Sequence, residues 1–476
     1  MPGMTDFRHS ALLIIGHGST ENPDSSAPTL QHADEIRRRG IFREVVCAFW
    51  KEEPSLRQVD YMIDSRQVFV VPNFISEGYF TREVLPRELG LTGPTTEING
   101  KRFHYCDPVG IHSSMTKLLA ERVHEVAPGV DRDSTALIIV GHGTALNKKS
   151  TEAIKAQVEL LKTQQLPVRE VIDAYMEEQP FIAKWDELTD AENVIVVPFF
   201  IADGLHSFQD IPVLLGIENE LPAAASQSTV FRESPIRLRG RNLFFSRAIG
   251  TDASIADVIL DQVRDFPEQI HGLQSSAIPT PVFETPIQIG EVAISGSLGK
   301  FELRHVADSE IPAELLLAAE DPFAAREFSK YADSGEFRPL KAAPNLKRGW
   351  RLQLRSAAEV AQAIDEFYPA ALGMNRDRES LRIINFRDTL DRQTGMYRYA
   401  RSLSDEGALK LINERCGDGC LRKVLWKLSS DIETGLPAES ESAGVLPILC
   451  PEACNLLVAE ARKVSKAEFE AAEVQS

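Results

Sequence analysis

The sequence predicts an α/β protein with two tandem, doubly wound parallel-sheet domains, followed by a small α+β module and a mostly helical C-terminal domain that carries cysteines. Two motifs in the first half occur twice. Gly-His-Gly at residues 16–18 returns 125 positions later at residues 141–143, and Val-Val-Pro at residues 70–72 returns 126 positions later at residues 196–198. A repeat this long is too large for a solenoid unit and fits a whole small domain, so the first half indicates a domain duplication.

Each copy begins with a β-branched apolar run that ends at Gly-His-Gly, which predicts a buried parallel strand followed by a loop at its carboxyl end. A helix-compatible stretch and a second strand follow. A proline-led helix comes next, and Pro54 and Pro180 are expected in its first turn, where the missing N–H costs no hydrogen bond. The Val-Val-Pro strand, another helix and a fourth strand complete the copy. This alternation of strands and helices is typical of a doubly wound sheet.

The pattern changes after the second copy. Residues 266–286 are rich in Pro and Ser and lack periodicity, which predicts a linker. Hairpin and helix patterns follow it, and after them a mostly helical region bears two cysteine pairs. The expected domains are 1–130 and 131–268 for the two copies, 287–371 for the small α+β module and 377–476 for the helical domain.

Composition narrows the class of protein. The chain of 476 residues has a net charge of −18, from 52 basic and 70 acidic residues, which argues against a nucleic-acid partner because such binding needs a basic surface. Apolar runs such as residues 194–201 fall far short of the roughly 20 residues of a membrane span. Residues 1–10 lack the pattern of a secretory signal. We therefore expect a cytoplasmic protein with no membrane association.

Chemistry-bearing side chains follow neighbouring strands of the second copy. Ligands of open α/β sheets bind beyond the carboxyl ends of the strands, so the loops that carry His142 and His206 should converge there. Glu177 lies two residues past Tyr175, at the end of the intervening strand. Two imidazoles and a carboxylate suit a divalent metal ion with open coordination positions. A structural alternative, in which His142 only caps the following helix, is also open.

These motifs carry a family resemblance. The Gly-His-Gly-Ser/Thr loop, the Phe/Tyr-x-Glu segment and Val-Pro-x-Phe-x-x-x-Gly-x-His-x-x-x-Asp-Ile-Pro resemble the class II sirohydrochlorin chelatases, the CbiX-type cobalto- and ferrochelatases, over residues 11–263. The resemblance implies two chelatase-like domains and a lyase of tetrapyrrole biosynthesis, for cobalamin or siroheme, that inserts Co²⁺ or Fe²⁺ into sirohydrochlorin or a related tetrapyrrole without ATP. It implies that His142, His206 and Glu177 bind the metal and act in catalysis together with His17.

The first copy departs from this pattern. His17 is present, but Lys51 and Phe80 occupy the positions of Glu177 and His206. A protonated lysine cannot bind a metal ion, and a phenylalanine ring has no donor atom. We therefore expect no independent metal site in the first copy, whose role is structural or is to close over the tetrapyrrole with His17 facing a shared cleft.

Four of the six cysteines form two Cys-x₃-Cys pairs. They are Cys416, Cys420, Cys450 and Cys454. In a cytosolic chain such pairs indicate metal binding before disulfides, and four thiolates suit either a [4Fe–4S] cluster or a zinc ion. The spacing and the helical surroundings favour iron–sulfur over zinc. Long-form members of the chelatase family carry an iron–sulfur cluster in a C-terminal extension, so the resemblance implies the same here.

Two rival functions are compatible with the same residues. One is a non-catalytic carrier that binds the metal or the tetrapyrrole in this cleft. The other is a redox enzyme whose cluster, served by a redox partner, passes electrons to a bound tetrapyrrole. Turnover with sirohydrochlorin and Co²⁺ separates the first rival from a chelatase, and a cluster-dependent change of the tetrapyrrole without metal identifies the second.

Overall fold

The computed structural model describes residues 7–475, except 144–147, 205, 219–233, 267–282, 284, 298, 378–383, 394, 419, 421–445, 449 and 451. Most of the predicted linker therefore lies outside the described residues. The chain divides into two compact units. The first unit comprises Met1–Gly18, Asn22–Cys47 and Ser65–Ser275, and the second comprises Ser19–Glu21, Ala48–Asp64 and Ser276–Ser476.

The first sequence copy forms a five-stranded sheet. Its strands are β1 (Ser10–Gly16), β2 (Glu44–Phe49), β3 (Gln67–Pro72), β4 (Thr95–Ile98) and β5 (Lys101–Tyr105). They are ordered β2-β1-β3-β5-β4, with β3 parallel to β1 and β5 and with β4 antiparallel to β5. Every residue of β1 and β3 is buried, which explains why these strands are continuous apolar runs rather than alternating ones.

The second copy repeats this sheet. Its strands are β6 (Thr135–Gly141), β7 (Glu170–Tyr175), β8 (Asn193–Pro198), β9 (Ile236–Leu238) and β10 (Arg241–Phe245). Their order is β7-β6-β8-β10-β9, with parallel pairing from β7 to β10 and an antiparallel edge strand β9. The chain moves from β6 to β7 on one side and then to β8 on the other. β6 and β8 therefore flank a topological switch point, where sheets of this kind open a crevice.

Helices connect the strands of both copies. They are α1 (Ala27–Arg39), α2 (Leu85–Leu89) and α3 (Met115–Val126) in the first copy, and α4 (Lys148–Lys162), α5 (Trp185–Leu188), α6 (Ile211–Leu215) and α7 (Ile255–Arg264) in the second. These elements confirm the predicted tandem α/β architecture.

Two equivalent hydrogen bonds connect the first copy to the second. His32 of α1 donates from Nε2 to the Gly250 carbonyl at 2.9 Å, and Gln157 of α4 donates from Nε2 to the Gly110 carbonyl at 3.2 Å. Both glycines lie against backbone of their own copy. A Cβ at Gly110 would lie 2.0 Å from the Ile75 carbonyl oxygen, and a Cβ at Gly250 would meet equivalent backbone at 2.3 Å. The loops that contain Gly110 and Gly250 therefore each lie between the backbone of their own copy and a helix of the other copy.

The prediction that Pro54 and Pro180 begin helices is wrong. Both follow cis peptide bonds. Their carbonyls accept hydrogen bonds from the backbone N–H groups of Phe49 and Tyr175, at 2.8 and 2.9 Å, so the chain doubles back on the strand before any helix starts. In the first copy a 3₁₀ helix begins only at Leu56. A proline lacks an N–H in a turn as well as at a helix start, so its presence did not distinguish the two.

The small α+β module of the second unit has one mixed sheet. Its strands are β11 (Ile287–Ile289), β12 (Val292–Ser297), β13 (Lys300–His305), β14 (Leu317–Ala319) and β15 (Trp350–Leu354), in the order β11-β12-β13-β15-β14. Its helices are α8 (Ala324–Phe328), α9 (Ala357–Phe367) and α10 (Ala371–Arg376). Trp350 lies at the centre of the core, between the stacked rings of Phe328 and Phe367, whose centroids are 5.3 and 4.8 Å away.

The C-terminal region is mostly helical, as predicted. Its helices are α11 (Phe386–Arg392), α12 (Asp405–Ile412) and α13 (Asn455–Gln475), and a short antiparallel ribbon joins β16 (Ile384–Asn385) to β17 (Pro447–Ile448). Across the described ranges, no helix is long and apolar enough to span a membrane.

Candidate functional site

The structure brings His142, Glu177 and His206 together at the switch point of the second sheet. His142 follows β6 directly, and Glu177 follows β7, which pairs with β6 in parallel. The backbone fixes this proximity, because the Glu177 N–H donates to the His142 carbonyl at 3.1 Å. His206 begins a five-residue π-helical turn, His206–Asp210, in the loop after β8.

The three side chains are close and reach solvent. The His142 Nε2 and Glu177 Oε1 atoms are 3.2 Å apart, and the imidazole rings of His142 and His206 have centroids 4.9 Å apart at an angle of 34°. The side chains of His142 and Glu177 are 33% and 58% exposed, so an ion from solvent can reach them. Imidazole nitrogens and carboxylate oxygens are groups that bind divalent metal ions in proteins.

Asp210 is a further member of this cluster that the sequence prediction did not single out. Its Oδ2 lies 2.7 Å from Nδ1 of His206. If Nδ1 carries the proton of this hydrogen bond, Nε2 has a lone pair for a metal ion, and such carboxylate–histidine pairs orient metal ligands in many proteins. The signal was present in the sequence as His-x-x-x-Asp, since residues four apart share one face of a helical turn.

Gly143 makes the close approach of these loops possible. It has a φ of +65°, and a Cβ at this position would lie 2.4 Å from Cβ of Tyr175 and 2.7 Å from Cγ of Glu178. Both the left-handed conformation and the lack of space require glycine. The second glycine of Gly-His-Gly is thus explained by the turn that presents His142 beside the end of β7.

The donors do not form a closed ligand set by themselves. Among the residues that the structure describes, no three or more His, Cys, Asp or Glu side chains already surround a metal position.

The first copy has a phenylalanine, Phe80, at the position of His206. His17 is exposed at the end of β1, and its ring centroid is 5.4 Å from that of Phe80, which begins the π-helical turn Phe80–Val84. Phe74 packs on the other side of Phe80 with a centroid distance of 5.2 Å. Lys51 belongs to the second unit, where burial lowers the pKa of its amine and the charge of Glu21 acts in the opposite direction.

The four paired cysteines supply the chemistry of a cluster site. Each is half-buried, and none of the six cysteines of the chain, all of which are described, forms a disulfide. Cys416 lies in the π-helical turn Asn413–Asp418 after α12, and Cys454 directly precedes α13. Four thiols are the donor set that a [4Fe–4S] cluster uses, so the chemistry of these residues fits that group, although in the described part of the chain no three of them are gathered around one metal position. Cys47 and Cys106 are buried in the first copy, and burial raises the pKa of the Cys106 thiol.

Three family models match the chain. The CbiX family model matches residues 11–126 and 136–266, the model of the DR2241 stabilising domain matches residues 282–379, and that of the 4Fe-4S iron-sulfur cluster binding domain matches residues 378–463. The last match includes all four paired cysteines and supports the iron–sulfur prediction. The zinc alternative has no such support.

Individual proteins agree with these matches. A probable sirohydrochlorin cobaltochelatase of Halobacterium salinarum is 38% identical over 273 residues, which cover 54% of this chain and 91% of that protein. A sirohydrochlorin cobaltochelatase of Methanocaldococcus jannaschii is 33% identical over 137 residues, 27% of this chain and 96% of that protein.

A solved structure matches nearly the whole chain. DR2241 from Deinococcus radiodurans, described as a multi-domain protein with structural similarity to chelatases and two additional novel domains, has a TM-score of 0.75 and 25% identity. The match covers 96% of this chain and 99% of that one. The resemblance inferred from the motifs is thereby confirmed in both copies and in the long form, and the chain belongs to the CbiX chelatase family.

Proposed function

We propose that this protein is a sirohydrochlorin metallochelatase, which inserts Co²⁺ or Fe²⁺ into sirohydrochlorin or a related tetrapyrrole without ATP. The observation that carries the proposal is the convergence of His142, Glu177 and His206 at the switch point of the second sheet. The names of the relatives from Halobacterium and Methanocaldococcus support the same reaction class.

The proposed roles follow from the geometry. The metal ion, as substrate, binds between the two imidazoles and the Glu177 carboxylate. Asp210 holds His206 through Nδ1 at 2.7 Å, which directs the proton to that nitrogen and keeps Nε2 available. Because the protein supplies three donors, the remaining coordination positions are open to the pyrrole nitrogens of the macrocycle.

Insertion also requires a base for two pyrrole protons. As nitrogen–metal bonds to the macrocycle form, the protein–metal bonds break, and the released imidazoles and carboxylate can accept those protons. Histidine is suited to this exchange because its unperturbed pKa lies close to neutral pH. His17 is proposed to act from the first copy on the bound tetrapyrrole and not as a metal ligand, since its neighbour is Phe80.

The helical C-terminal region is proposed to hold an iron–sulfur cluster through Cys416, Cys420, Cys450 and Cys454. When bound, such a cluster supplies one-electron redox chemistry. The chain's own contribution is the set of four thiols, each of which is half-buried.

The test is an anaerobic metallation assay with sirohydrochlorin and either Co²⁺ or Fe²⁺, without ATP. The wild type should turn over with at least one ion, and His142→Ala should lose about 100-fold or more of the rate, because it removes a ligand and a candidate base. His124→Ala changes an exposed histidine of α3 and should keep the wild-type rate.

The assay also separates the rival functions. Binding of metal and tetrapyrrole without turnover would identify a carrier and contradict the proposal. A change of the tetrapyrrole spectrum that needs the cluster but no added metal would identify a redox enzyme.

A further inference from the structure

The segment Ala48–Asp64, hereafter the 48–64 loop, differs from its counterpart in the second copy. It follows β2 in the first copy, yet it belongs to the second compact unit. The equivalent residues of the second copy, 174–190, carry Glu177 and stay in the first unit. Lys51 replaces that glutamate in the 48–64 loop. The same segment of the repeat therefore has different partners in the two copies.

The 48–64 loop holds both neighbours of Cys454. Arg57 donates from Nε to the Ala453 carbonyl at 3.0 Å and from Nη2 to Oδ1 of Asn455. Asn455 donates back from Nδ2 to the Glu52 carbonyl at 2.7 Å. Arg57 is only 7% exposed and Asn455 is fully buried, so water does not compete for these bonds.

The other cysteine of this pair lies against the same loop. Cys450 packs with Tyr61 on the small cluster of Ala370 and Met374. Between the two cysteines, the Glu452 carbonyl accepts a hydrogen bond from Nε2 of Gln58 at 3.3 Å. The 48–64 loop thus donates hydrogen bonds to the carbonyls of Glu452 and Ala453, which lie between the two cysteines.

The loop is itself firmly anchored in the second unit. The Glu53 carboxylate accepts a hydrogen bond from the Ala342 N–H at 3.0 Å, and the Glu53 N–H donates to the Pro339 carbonyl at 2.9 Å. At the other end, Asp64 pairs with Arg376. A loop fixed at both ends can hold the cysteine segment that it contacts in one conformation.

We propose that the 48–64 loop organises the Cys450–Cys454 pair for cluster binding, with Arg57 as the positioning residue. This inference rests on the proposed iron–sulfur site. Arg57 fixes the backbone on one side of Cys454 and a side chain on the other, which reduces the freedom that the ligand segment loses when a cluster binds. It is also a buried positive charge in contact with the two residues that flank Cys454. The second copy has Ala183 at the equivalent position and therefore has no corresponding arginine.

The test compares full-length wild type with Arg57→Gln and Arg57→Lys after anaerobic reconstitution with iron and sulfide. The control is Arg326→Gln, which removes a half-buried arginine of the second unit, paired with Glu366 across α8 and α9. The readouts are iron and sulfide bound per chain, the rate at which a chelator removes iron, and the reduction potential of the cluster.

Arg57→Gln should bind less iron and lose it about 10-fold faster or more, as is typical when the partner of a metal ligand is removed. Its cluster should have a lower reduction potential, because a positive charge that favours the more negative reduced state is gone. Arg57→Lys keeps the charge but has a single donor nitrogen in place of the planar group whose Nε and Nη2 reach two separate acceptors, so it should lose iron quickly while its potential stays closer to the wild type. Arg326→Gln should match the wild type in all three readouts.

Other outcomes have equally definite meanings. A wild type that takes up no iron–sulfur cluster defeats the proposed cluster site itself. A normal wild type with unchanged iron loss and potential in Arg57→Gln overturns the inference about the loop, as does equal iron loss from Arg57→Gln and Arg326→Gln. Should Arg57→Gln fail to fold, Gln58→Met removes one buried donor at similar volume, and iron loss at the wild-type rate there would also overturn the inference.

Hydrogen exchange provides a second readout that activity does not influence. Coupling is reciprocal, so a cluster that the loop stabilises must stabilise the loop in return. Amides of the 48–64 loop should exchange faster in cluster-free Cys454→Ser than in the reconstituted wild type, while β6 and β8 keep their protection. Equal exchange of the loop in both proteins would contradict the coupling.

Discussion

Asp210 contacts one ring nitrogen of His206 and leaves the other for a metal ion in the proposed site. Its carboxylate lies 2.7 Å from Nδ1, and the equivalent position in the first copy is Val84, in the copy that also lacks the histidine. The carboxylate and the imidazole are thus both present in one copy and both absent from the other. If Asp210 acts only by orienting His206, a copy without the histidine has no need of the carboxylate, and the first copy lacks both.

Asp210→Asn should weaken Co²⁺ binding by about 10- to 100-fold without unfolding the protein. The amide keeps the size of the side chain, but it lacks the charge that holds the proton on Nδ1. Calorimetric titration with Co²⁺ measures the affinity. Asp261→Asn, on the surface of α7 beside Arg264, is the control and should bind as the wild type does. Wild-type affinity in Asp210→Asn would remove this carboxylate from the site.

The side chains of the site were predictable to different degrees. His142 and His206 follow buried strands in recognisable motifs, and the strand-end rule alone brings them together. Glu177 could be placed because it follows a third strand of the same sheet. Asp210 is visible in the motif. Its role depends on the π-helical turn that places its carboxylate beside Nδ1 of His206, and sequence spacing did not predict a π-helical turn.

At the scale of elements, the antiparallel edge strands β4 and β9 were not predicted. A hairpin signal was nevertheless present in the first copy, where Asn99 and Gly100 join β4 to β5 with φ angles of +50° and +76°. The second copy uses Arg239 and Gly240 with φ angles of +48° and +80° in the same place. Arginine rarely takes a positive φ, so sequence patterns alone give little indication of that turn.

The contact between α1 and the Gly250 loop makes stability depend on pH. Burial lowers the pKa of His32 to about 4, although the hydrogen bond to the Gly250 carbonyl and the charge of Asp252 act in the opposite direction. Above pH 6.5 the imidazole is neutral whether the protein is folded or unfolded. As pH falls from about 6.5 to 4, the unfolded chain takes up a proton that the folded protein excludes, so stability is lost over that range.

His32→Gln should remove this loss, because an amide can donate to the Gly250 carbonyl without titrating, as Gln157 does at the matching contact. Relative to the wild type, the variant should gain stability as pH falls from 7 to 4.5, by at most about 3 kcal/mol. Thermal unfolding at several pH values measures the difference. A difference between the two proteins that stays constant with pH would contradict the prediction, and exposed His124→Gln serves as control.

At the scale of the whole molecule, the two copies should contribute unequally to metallation. His206→Ala should lower the rate by about 100-fold or more, because it removes a proposed metal ligand and candidate base. His17→Ala should lower the metallation rate less, since the ring next to His17 is Phe80 and its copy has Lys51 in place of the glutamate. Initial rates with sirohydrochlorin and the preferred ion measure both effects. Equal losses would mean that both copies build one shared active site.

The repeat and the order of folds along the chain were predictable, because offsets and changes of periodicity are visible in the residues themselves. The assignment of the 48–64 loop to the second unit was not. Its contacts, such as that between Arg57 and the Ala453 carbonyl, join residues about 400 positions apart. Such pairs leave no period or motif in a single sequence. The predicted domain boundaries near residues 130, 268 and 377 stay predictions.

The reciprocal bonds from His32 to Gly250 and from Gln157 to Gly110 have an evolutionary consequence. A chain with one copy could complete both contacts only by pairing with a second identical subunit, and any mutation would then appear on both sides at once. In a fused chain, a mutation changes only one side of such a contact, so the two copies can diverge in sequence. One half can retain the ancestral chemistry while the other accumulates replacements such as Lys51, Phe80 and Arg57 and is recruited to another task.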